Sequence, residues 1–214
     1  MLTTQHDYHI HTRLSTCCAD ERMSMENILP ALYAAGIREA CVTDHLWDRN
    51  MPGADEWYAP QDVDHVSKTL PFPKAPEGMR LYFGCETEFC GSRKIGISPL
   101  SYDAFDFIIV PFNHLHNNFS RPVDVVTAEQ VAALYMDHFE DLLEIPLPWH
   151  KVGIAHLTCF LTFPNENLHR VFELLDGDRL YAVFRSLKAR GAGIELNAGC
   201  FKPGWRAHEE SFLR

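Results

Sequence analysis

Two histidines, His9 and His11, stand one residue apart near the start of the chain, within Asp7-Tyr-His-Ile-His-Thr12. Successive side chains of a β-strand alternate between its faces, so residues separated by one project from the same face. Both imidazoles can therefore reach one metal ion, because imidazole is a common ligand of transition metals. An isolated pair of this kind is as often two histidines without a metal, so the decision rests on the rest of the sequence.

Five later stretches place a histidine or a glutamate where a predicted strand ends. Functional residues of α/β barrels collect at the carboxyl ends of the strands, where the loops begin. We therefore expect these side chains to share one metal site. Imidazole and carboxylate donors suit zinc, iron or manganese better than calcium or magnesium. The stretches are Thr43-Asp44-His45, Gly84-Cys85-Glu86, Phe112-Asn113-His114-Leu115-His116, Ala155-His156 and Glu195-Leu196-Asn197.

Strand-like and helix-like segments alternate along the chain, which predicts an α/β fold with a parallel sheet, closed as a barrel or doubly wound. Ser24 and Gly36 are typical of the start and stop of one helix, and Thr127 with Gln130 forms a capping box at another. The predicted strands span residues 6–11, 40–43, 80–85, 105–112, 152–155 and 193–196. The predicted helices span residues 25–36, 61–69, 127–143, 165–175 and 179–190.

Composition predicts one domain over residues 1–214, since 46% of the residues are hydrophobic and the chain can bury a sizeable core. The net charge of -10 argues against long nucleic acid as a partner, because no basic stripe is present to neutralise phosphates. Binding of small anionic substrates is still compatible with this charge if metal ions supply positive charge. Seven cysteines at irregular positions do not predict a disulfide framework, and no apolar run approaches the roughly 20 residues that span a bilayer. We expect a cytoplasmic protein that does not enter membranes.

The set of motifs resembles that of the PHP family, named for its polymerase and histidinol phosphatase members. The similarity runs over nearly the whole chain. It implies a distorted (β/α)7 barrel of the TIM-like type, two to three zinc, manganese or iron ions, and phosphoester hydrolysis. By position, the resemblance assigns His9 and His11 to the first metal and Glu86 to a bridge between the first and second. His114 and His156 would complete the second metal site, and His45 would belong to the third.

Two departures from the family pattern stand out. Cys17 occupies the position where the family usually has a further histidine; its thiolate can ligate zinc, but a buried inert thiol is an equal alternative. The family also closes with a strand bearing Asp-x-His, and this sequence reaches Arg214 without one. We therefore expect a barrel that is incomplete at its C-terminal end. Its exposed sheet edge would invite pairing with a second copy, which leaves a homo-oligomer open.

Several roles stay open from the sequence. Either His114 or His116 can face inward, and His114 is preferred because it lies nearer the strand end. Asp7 and Asp44 are candidates to orient ligand imidazoles through their other ring nitrogen, and Asp44 is also a candidate to relay a proton to the leaving group. Lys202 and Arg206 either clasp the substrate phosphate or are ordinary surface charges.

The long connection from Leu46 to about Pro76 is rich in Pro, Asp, Trp and Tyr. Its aromatic residues Trp47, Trp57 and Tyr58 either line a pocket or form a small core that holds the connection together, and the second alternative is favoured. The expected function is hydrolysis of a small phosphomonoester by metal-activated water, similar to histidinol phosphatase. Hydrolysis of a phosphodiester or nucleotide, and metal binding without catalysis, are the alternatives.

Overall fold

The structure is a computed structural model that describes residues 4–18, 20–117, 119–158, 160–163 and 168–196. The chain divides into two compact units. The first comprises Met1–Glu88 and Gly96–Ile109, and the second comprises Phe89–Ile95 and Val110–Arg214. The expectation of a single domain stays a prediction.

Strands and helices alternate, which confirms the α/β class. Short 3-10 turns at Ser67–Thr69, Pro99–Ala104, Trp149–Lys151 and Phe160–Thr162 connect some of them. The strands are β1 (His6–Ile10), β2 (Glu39–Val42), β3 (His45–Leu46), β4 (Arg80–Thr87), β5 (Phe107–Val110), β6 (Val152–Ile154) and β7 (Gly193–Ile194). The helices are α1 (Met25–Ala34), α2 (Val63–Val66), α3 (Ala128–Leu143), α4 (Leu168–Glu173) and α5 (Gly177–Arg190).

The first unit is built on a parallel sheet in the order β1-β2-β4-β5. β2 pairs with β4 in a register that sets Glu39 opposite Arg80. β3 pairs with β4 in the same register and sets His45 opposite Glu86. β3 thus continues the path of β2 after a two-residue interruption, and a strand of two residues gives no periodic signal in the sequence.

Helix α1 packs its apolar face on this sheet. Met25, Ile28 and Leu29 are buried at helical spacing and join a cluster with strand residues that include Val42. The helix ends as the sequence predicts, because Gly36 adopts a left-handed φ of +90°. The N–H groups of Gly36 and of the next residue then donate to carbonyls of the last turn, which is a Schellman cap.

The connection after β3 folds over a small core of its own. Trp47 and Tyr58 are buried, and the Tyr58 hydroxyl donates to Glu88 over 2.8 Å. Asp48 is also buried and accepts hydrogen bonds from Asn50 and from the Ser101 hydroxyl. This arrangement supports the favoured alternative for the aromatic residues Trp47 and Tyr58, which stabilise the connection.

The second unit is organised around helix α3. Thr127 and Gln130 form the predicted capping box, with both reciprocal hydrogen bonds present. Val131, Tyr135 and Phe139 are fully buried, and the helix packs against α4 and α5. Strand β6 pairs in parallel with β7. The fifth predicted helix starts two residues earlier than expected, because Asp176 caps it.

The barrel closure and the seven strand–helix repeats of the predicted fold go beyond these elements and stay predictions. Within the described residues, no helix is both long and apolar enough to span a bilayer. Among the described residues, Cys17, Cys18, Cys41, Cys85 and Cys90 form no disulfide bond.

We expect Gly36→Ala to lower the free energy of unfolding by about 1 kcal/mol, because an L side chain resists the left-handed backbone. A methyl group at this position meets no atom within 4 Å, so the cost is conformational and not steric. Urea unfolding of the purified chain measures it.

Gly177→Ala is the matched control. Gly177 opens helix α5 and also has no atom within 4 Å of an added methyl group. Here alanine should raise the free energy of unfolding by up to about 1 kcal/mol, because alanine favours the helix. Changes of the same sign in the two variants would contradict this account of the cap.

Candidate metal centre

The candidate ligands of the first unit lie at the carboxyl ends of neighbouring parallel strands. His9 belongs to β1 and His11 follows that strand, while His45 opens β3 and Glu86 lies near the end of β4. The register of β3 and β4 sets His45 beside Glu86. Strand pairing therefore brings together residues that are far apart in the sequence.

Gly84 explains part of the Gly-x-Glu motif. An added Cβ at Gly84 would lie 2.6 Å from the Cys41 sulfur and 2.6 Å from the carbonyl oxygen of Phe107. Such separations are well inside van der Waals contact, so only glycine lets β4 approach its two neighbours here. Glycine at this position thus supports the strand pairing that positions Glu86.

The Glu86 carboxylate is the centre of the group. Its Oε2 atom lies 3.3 Å from Nε2 of His9, 3.1 Å from Nε2 of His11 and 3.0 Å from Nδ1 of His45. The two Nε2 atoms are 3.2 Å apart. The Glu86 side chain is only 1% exposed, so three imidazole nitrogens converge on one buried carboxylate oxygen.

These separations fit a bound divalent metal. Zinc–nitrogen distances of about 2.0–2.1 Å in tetrahedral geometry put neighbouring ligand atoms about 3.3 Å apart. The three imidazole nitrogens lie 3.0–3.3 Å from Oε2 of Glu86. His9, His11 and Glu86 are thus positioned to hold a metal ion, as the sequence predicts, although the identity of the metal is not thereby given.

Ser15 fixes the His11 ring. The Ser15 hydroxyl donates to Asp44 over 2.7 Å and accepts the backbone N–H of His45 over 3.0 Å. Nδ1 of His11 lies 3.1 Å from the same oxygen. Because the Ser15 hydroxyl donates its single proton to Asp44, Nδ1 of His11 is the donor in the contact with the Ser15 oxygen. Nε2 of His11 then carries the lone pair and faces Glu86, which is the tautomer a metal ligand needs.

The buried Asp44 side chain holds the Ser15 hydroxyl in place. The residue is 1% exposed and accepts from the Thr12 N–H over 2.6 Å and from the Thr12 hydroxyl over 2.7 Å. Asp44 reaches the His11 ring through the Ser15 hydroxyl, and the expectation that Asp44 orients a ligand imidazole stays a prediction. Asp7, the other candidate, accepts from the backbone N–H of His9. No sequence pattern indicates the role of Ser15, since a turn hydroxyl has no characteristic spacing.

The Cys17 sulfur lies close to two of these histidines, His11 and His45. Ligand atoms of His11, Cys17 and His45 all lie within 4.8 Å of one another. Cys17 is exposed, so the alternative of a buried inert thiol does not fit. Partial desolvation of the sulfur raises the pKa of the Cys17 thiol to about 11, and the negative charge of Glu86 adds to the rise.

Aromatic rings flank the group on the side of the long connection. The His11 and His45 rings stack with centroids 4.5 Å apart. Trp57 meets His45 edge-on at 4.9 Å and is only partly buried. Trp57 therefore contacts a candidate ligand, whereas Trp47 and Tyr58 belong to the local core.

The second unit holds the remaining predicted histidines. The His114 and His156 rings stack with centroids 4.7 Å apart. His156 has a left-handed backbone with φ of +28°, which is rare for a residue with a side chain. Asn113 donates to the His156 carbonyl over 2.9 Å, and the His156 N–H donates to Glu195 over 2.7 Å. Asn113 and Glu195 thus hold the backbone that presents His156.

His114 is buried whereas His116 is exposed. Burial beside His156 supports the preference for His114 as the ligand. Lys202 and Arg206, the predicted phosphate contacts, lie outside the described residues, as does Asn197.

Together the fold and the site define an α/β protein with parallel strands whose ends carry histidine, glutamate and cysteine groups positioned to hold a metal ion. In comparisons with known proteins, the chain matches no family model and no curated sequence.

We expect Ser15→Ala to weaken zinc binding by about 10–100-fold, because the His11 ring loses the partner that fixes its tautomer and orientation. Competition against a chromogenic chelator measures the affinity.

Ser101→Ala is the matched control, since it also removes a serine-to-aspartate hydrogen bond in the same unit, to Asp48. Its free energy of unfolding should fall by a similar amount, whereas its affinity for zinc should equal that of the wild type. Equal zinc affinity in the two variants would refute the role given to Ser15.

We also expect the alkylation rate of Cys17 to rise about tenfold per pH unit between pH 7 and pH 9, without reaching a plateau, in protein stripped of metal. Only the thiolate reacts, and a pKa of about 11 keeps its fraction small but increasing throughout this range. Mass spectrometry of the peptide that contains Cys17 gives the rate. A plateau near pH 9, as for an ordinary thiol, would contradict the raised pKa.

Proposed function

We propose that this chain is a metal-dependent phosphoesterase that hydrolyses a small phosphomonoester. The observation that carries the proposal is the convergence of His9, His11 and His45 on the buried carboxylate of Glu86. Imidazole and carboxylate donors together are typical of hydrolytic sites that use zinc, manganese or iron. The resemblance of the motifs to the PHP family supports phosphate esters as the substrates.

We propose two to three divalent ions in the complete site. His9, His11 and Glu86 would hold the first ion. His45 lies in a separate group with His11 and Cys17 and would belong to the third ion, as the resemblance implies. His114 and His156 would be ligands of a second ion. Their rings stack in the second unit, which supports the proposal that both bind the same ion. The bridging role of Glu86 is implied by the resemblance and stays a prediction.

When bound, a divalent metal polarises the phosphoryl group and lowers the pKa of a water molecule. The residues of this chain hold and orient it. Ser15 keeps Nδ1 of His11 protonated, so that Nε2 of His11 stays a ligand. We propose that Asp44 holds Ser15 and Thr12 in place and does not relay a proton. Its side chain is buried, and both of its carboxylate oxygens accept hydrogen bonds from Thr12 or Ser15.

The charge of the chain favours a small substrate. A net charge of -10 repels phosphates in general, so an anionic substrate depends on the positive charge of the metal. Lys202 and Arg206 are proposed to contact the phosphate. Membership of the PHP family, a distorted (β/α)7 barrel, a cytoplasmic location and pairing with a second copy belong to the same proposal.

The test is turnover of a chromogenic phosphomonoester with added manganese or zinc, together with the bound metal measured by elemental analysis. We expect hydrolysis by the wild type. Glu86→Gln should reduce metal affinity by at least about 100-fold and abolish hydrolysis, because the site loses its negative charge.

His169→Ala is the control, since His169 pairs with Glu173 on helix α4 and has no place in the site. It should keep both metal and activity. Metal binding with no turnover of monoester would contradict the proposed function, and faster turnover of the matching diester would shift it to phosphodiesters.

A further inference from the structure

The backbone of Trp57 is held on both sides by contacts within the first unit. Its N–H donates to the Asp55 carboxylate over 3.0 Å, and its carbonyl accepts from the Gln61 side chain over 2.9 Å. Gln61 is fully buried, and its side-chain oxygen accepts the backbone N–H of Thr16 over 2.8 Å. One buried amide therefore connects Trp57 to the loop that follows β1. Little backbone freedom remains for Trp57 to lose when a ligand binds.

The Trp57 indole differs from its aromatic neighbours in burial. Trp47 is 1% exposed and Tyr58 is 3% exposed, as expected of side chains in a local core, whereas Trp57 is only partly buried. The indole lies 4.6 Å from the Tyr58 ring and 4.9 Å from the His45 ring, measured between centroids, with interplanar angles of 82° and 69°. Neither of these two rings stacks in parallel on the indole. Trp57 is thus oriented by two edge contacts while part of its surface stays accessible to solvent.

The contact with His45 places the indole beside the candidate metal centre. Nδ1 of His45 lies 3.0 Å from Oε2 of Glu86. In a phosphomonoester, only the phosphorus and the ester oxygen separate the leaving group from the oxygens that a metal would bind. The leaving group therefore lies close to the side chains that surround the metal. Trp57 contacts a candidate ligand and is also accessible, which are the two properties that an aromatic wall of a binding site needs.

We propose that Trp57 is a specificity-determining residue that packs on the leaving group of the substrate and selects phosphomonoesters of aromatic alcohols over those of saturated alcohols of equal size. This inference rests on the proposed function, because it concerns the substrate of the same site. Two aromatic rings in contact gain free energy beyond that of the apolar area they bury, whereas a saturated ring gains the hydrophobic part alone. The indole therefore favours a planar leaving group.

A matched pair of ligands that cannot be hydrolysed tests this selectivity. Benzylphosphonate and cyclohexylmethylphosphonate carry the same phosphonate group and rings of the same carbon number, but only the first ring is aromatic. Calorimetry on the full chain saturated with zinc gives both dissociation constants. The wild type should bind benzylphosphonate about three- to tenfold more tightly than the saturated analogue.

Trp57→Leu should remove this preference, because leucine keeps an apolar contact but has no aromatic ring. Trp57→Phe keeps a smaller ring and should show an intermediate preference, and this milder change decides the question if Trp57→Leu does not fold. Tyr181→Leu is the control, since it removes an exposed aromatic ring from helix α5 in the second unit and should retain the preference of the wild type. Equal affinities in the wild type, an unchanged preference in the Trp57 variants, or no binding of either phosphonate would overturn the inference.

Hydrolysis separates this inference from the proposed function. The wild type should cleave benzyl phosphate with a higher kcat/KM than cyclohexylmethyl phosphate, and the difference should shrink in Trp57→Leu. Selective phosphonate binding by a protein that cleaves neither ester supports the role of Trp57 and contradicts the phosphoesterase. Cleavage of both esters with equal kcat/KM, together with equal phosphonate affinities, contradicts only the role of Trp57.

Discussion

The buried carboxylate of Glu86 is the constraint on which the candidate site depends. An ionised carboxylate removed from water costs several kcal/mol unless opposite charge compensates it. The side chain is 1% exposed, and three imidazole nitrogens lie within 3.3 Å of one oxygen. A divalent cation would compensate this charge and would accept lone pairs from the imidazoles, so the group formed by His9, His11 and Glu86 is positioned to hold a metal ion.

The sheet supplies the geometry that this constraint needs. β2 and β3 share one register along β4, and the interruption between them contains Asp44. The strand path can therefore place His45 beside Glu86 while Asp44 turns toward Thr12 and Ser15. A shift of one residue in this register would move His45 to the opposite face. Because of this interruption, His45 can act as a candidate ligand while the adjacent Asp44 holds Ser15, which orients His11.

The sequence predicts the local elements well, because their signals are local. The capping box of Thr127 and Gln130 and the left-handed stop at Gly36 are both present. Strand β5 is shorter than its apolar run, because Phe105 still ends a 3-10 turn. The predicted helix over residues 61–69 is only one turn of α-helix followed by a 3-10 turn. The two-residue strand β3 was missed, since nothing so short has a period.

The candidate ligands were predictable from residue type and strand position, whereas the partners that orient them were not. Hydrogen bonds from Ser15 to Asp44 and from His156 to Glu195 depend on backbone paths that no spacing encodes. The loop before Cys17 is likewise held by Gln61, whose side chain accepts the backbone N–H of Thr16 from 45 residues away. Nonlocal packing determines such contacts, and it becomes visible only in the folded chain.

The most direct test of the metal centre is anomalous diffraction from crystals of this chain grown with zinc. The account predicts an anomalous peak about 2.0–2.2 Å from Nε2 of His9, Nε2 of His11 and a carboxylate oxygen of Glu86. The same three side chains surrounding only water, in crystals that contain zinc elsewhere or nowhere, would contradict it.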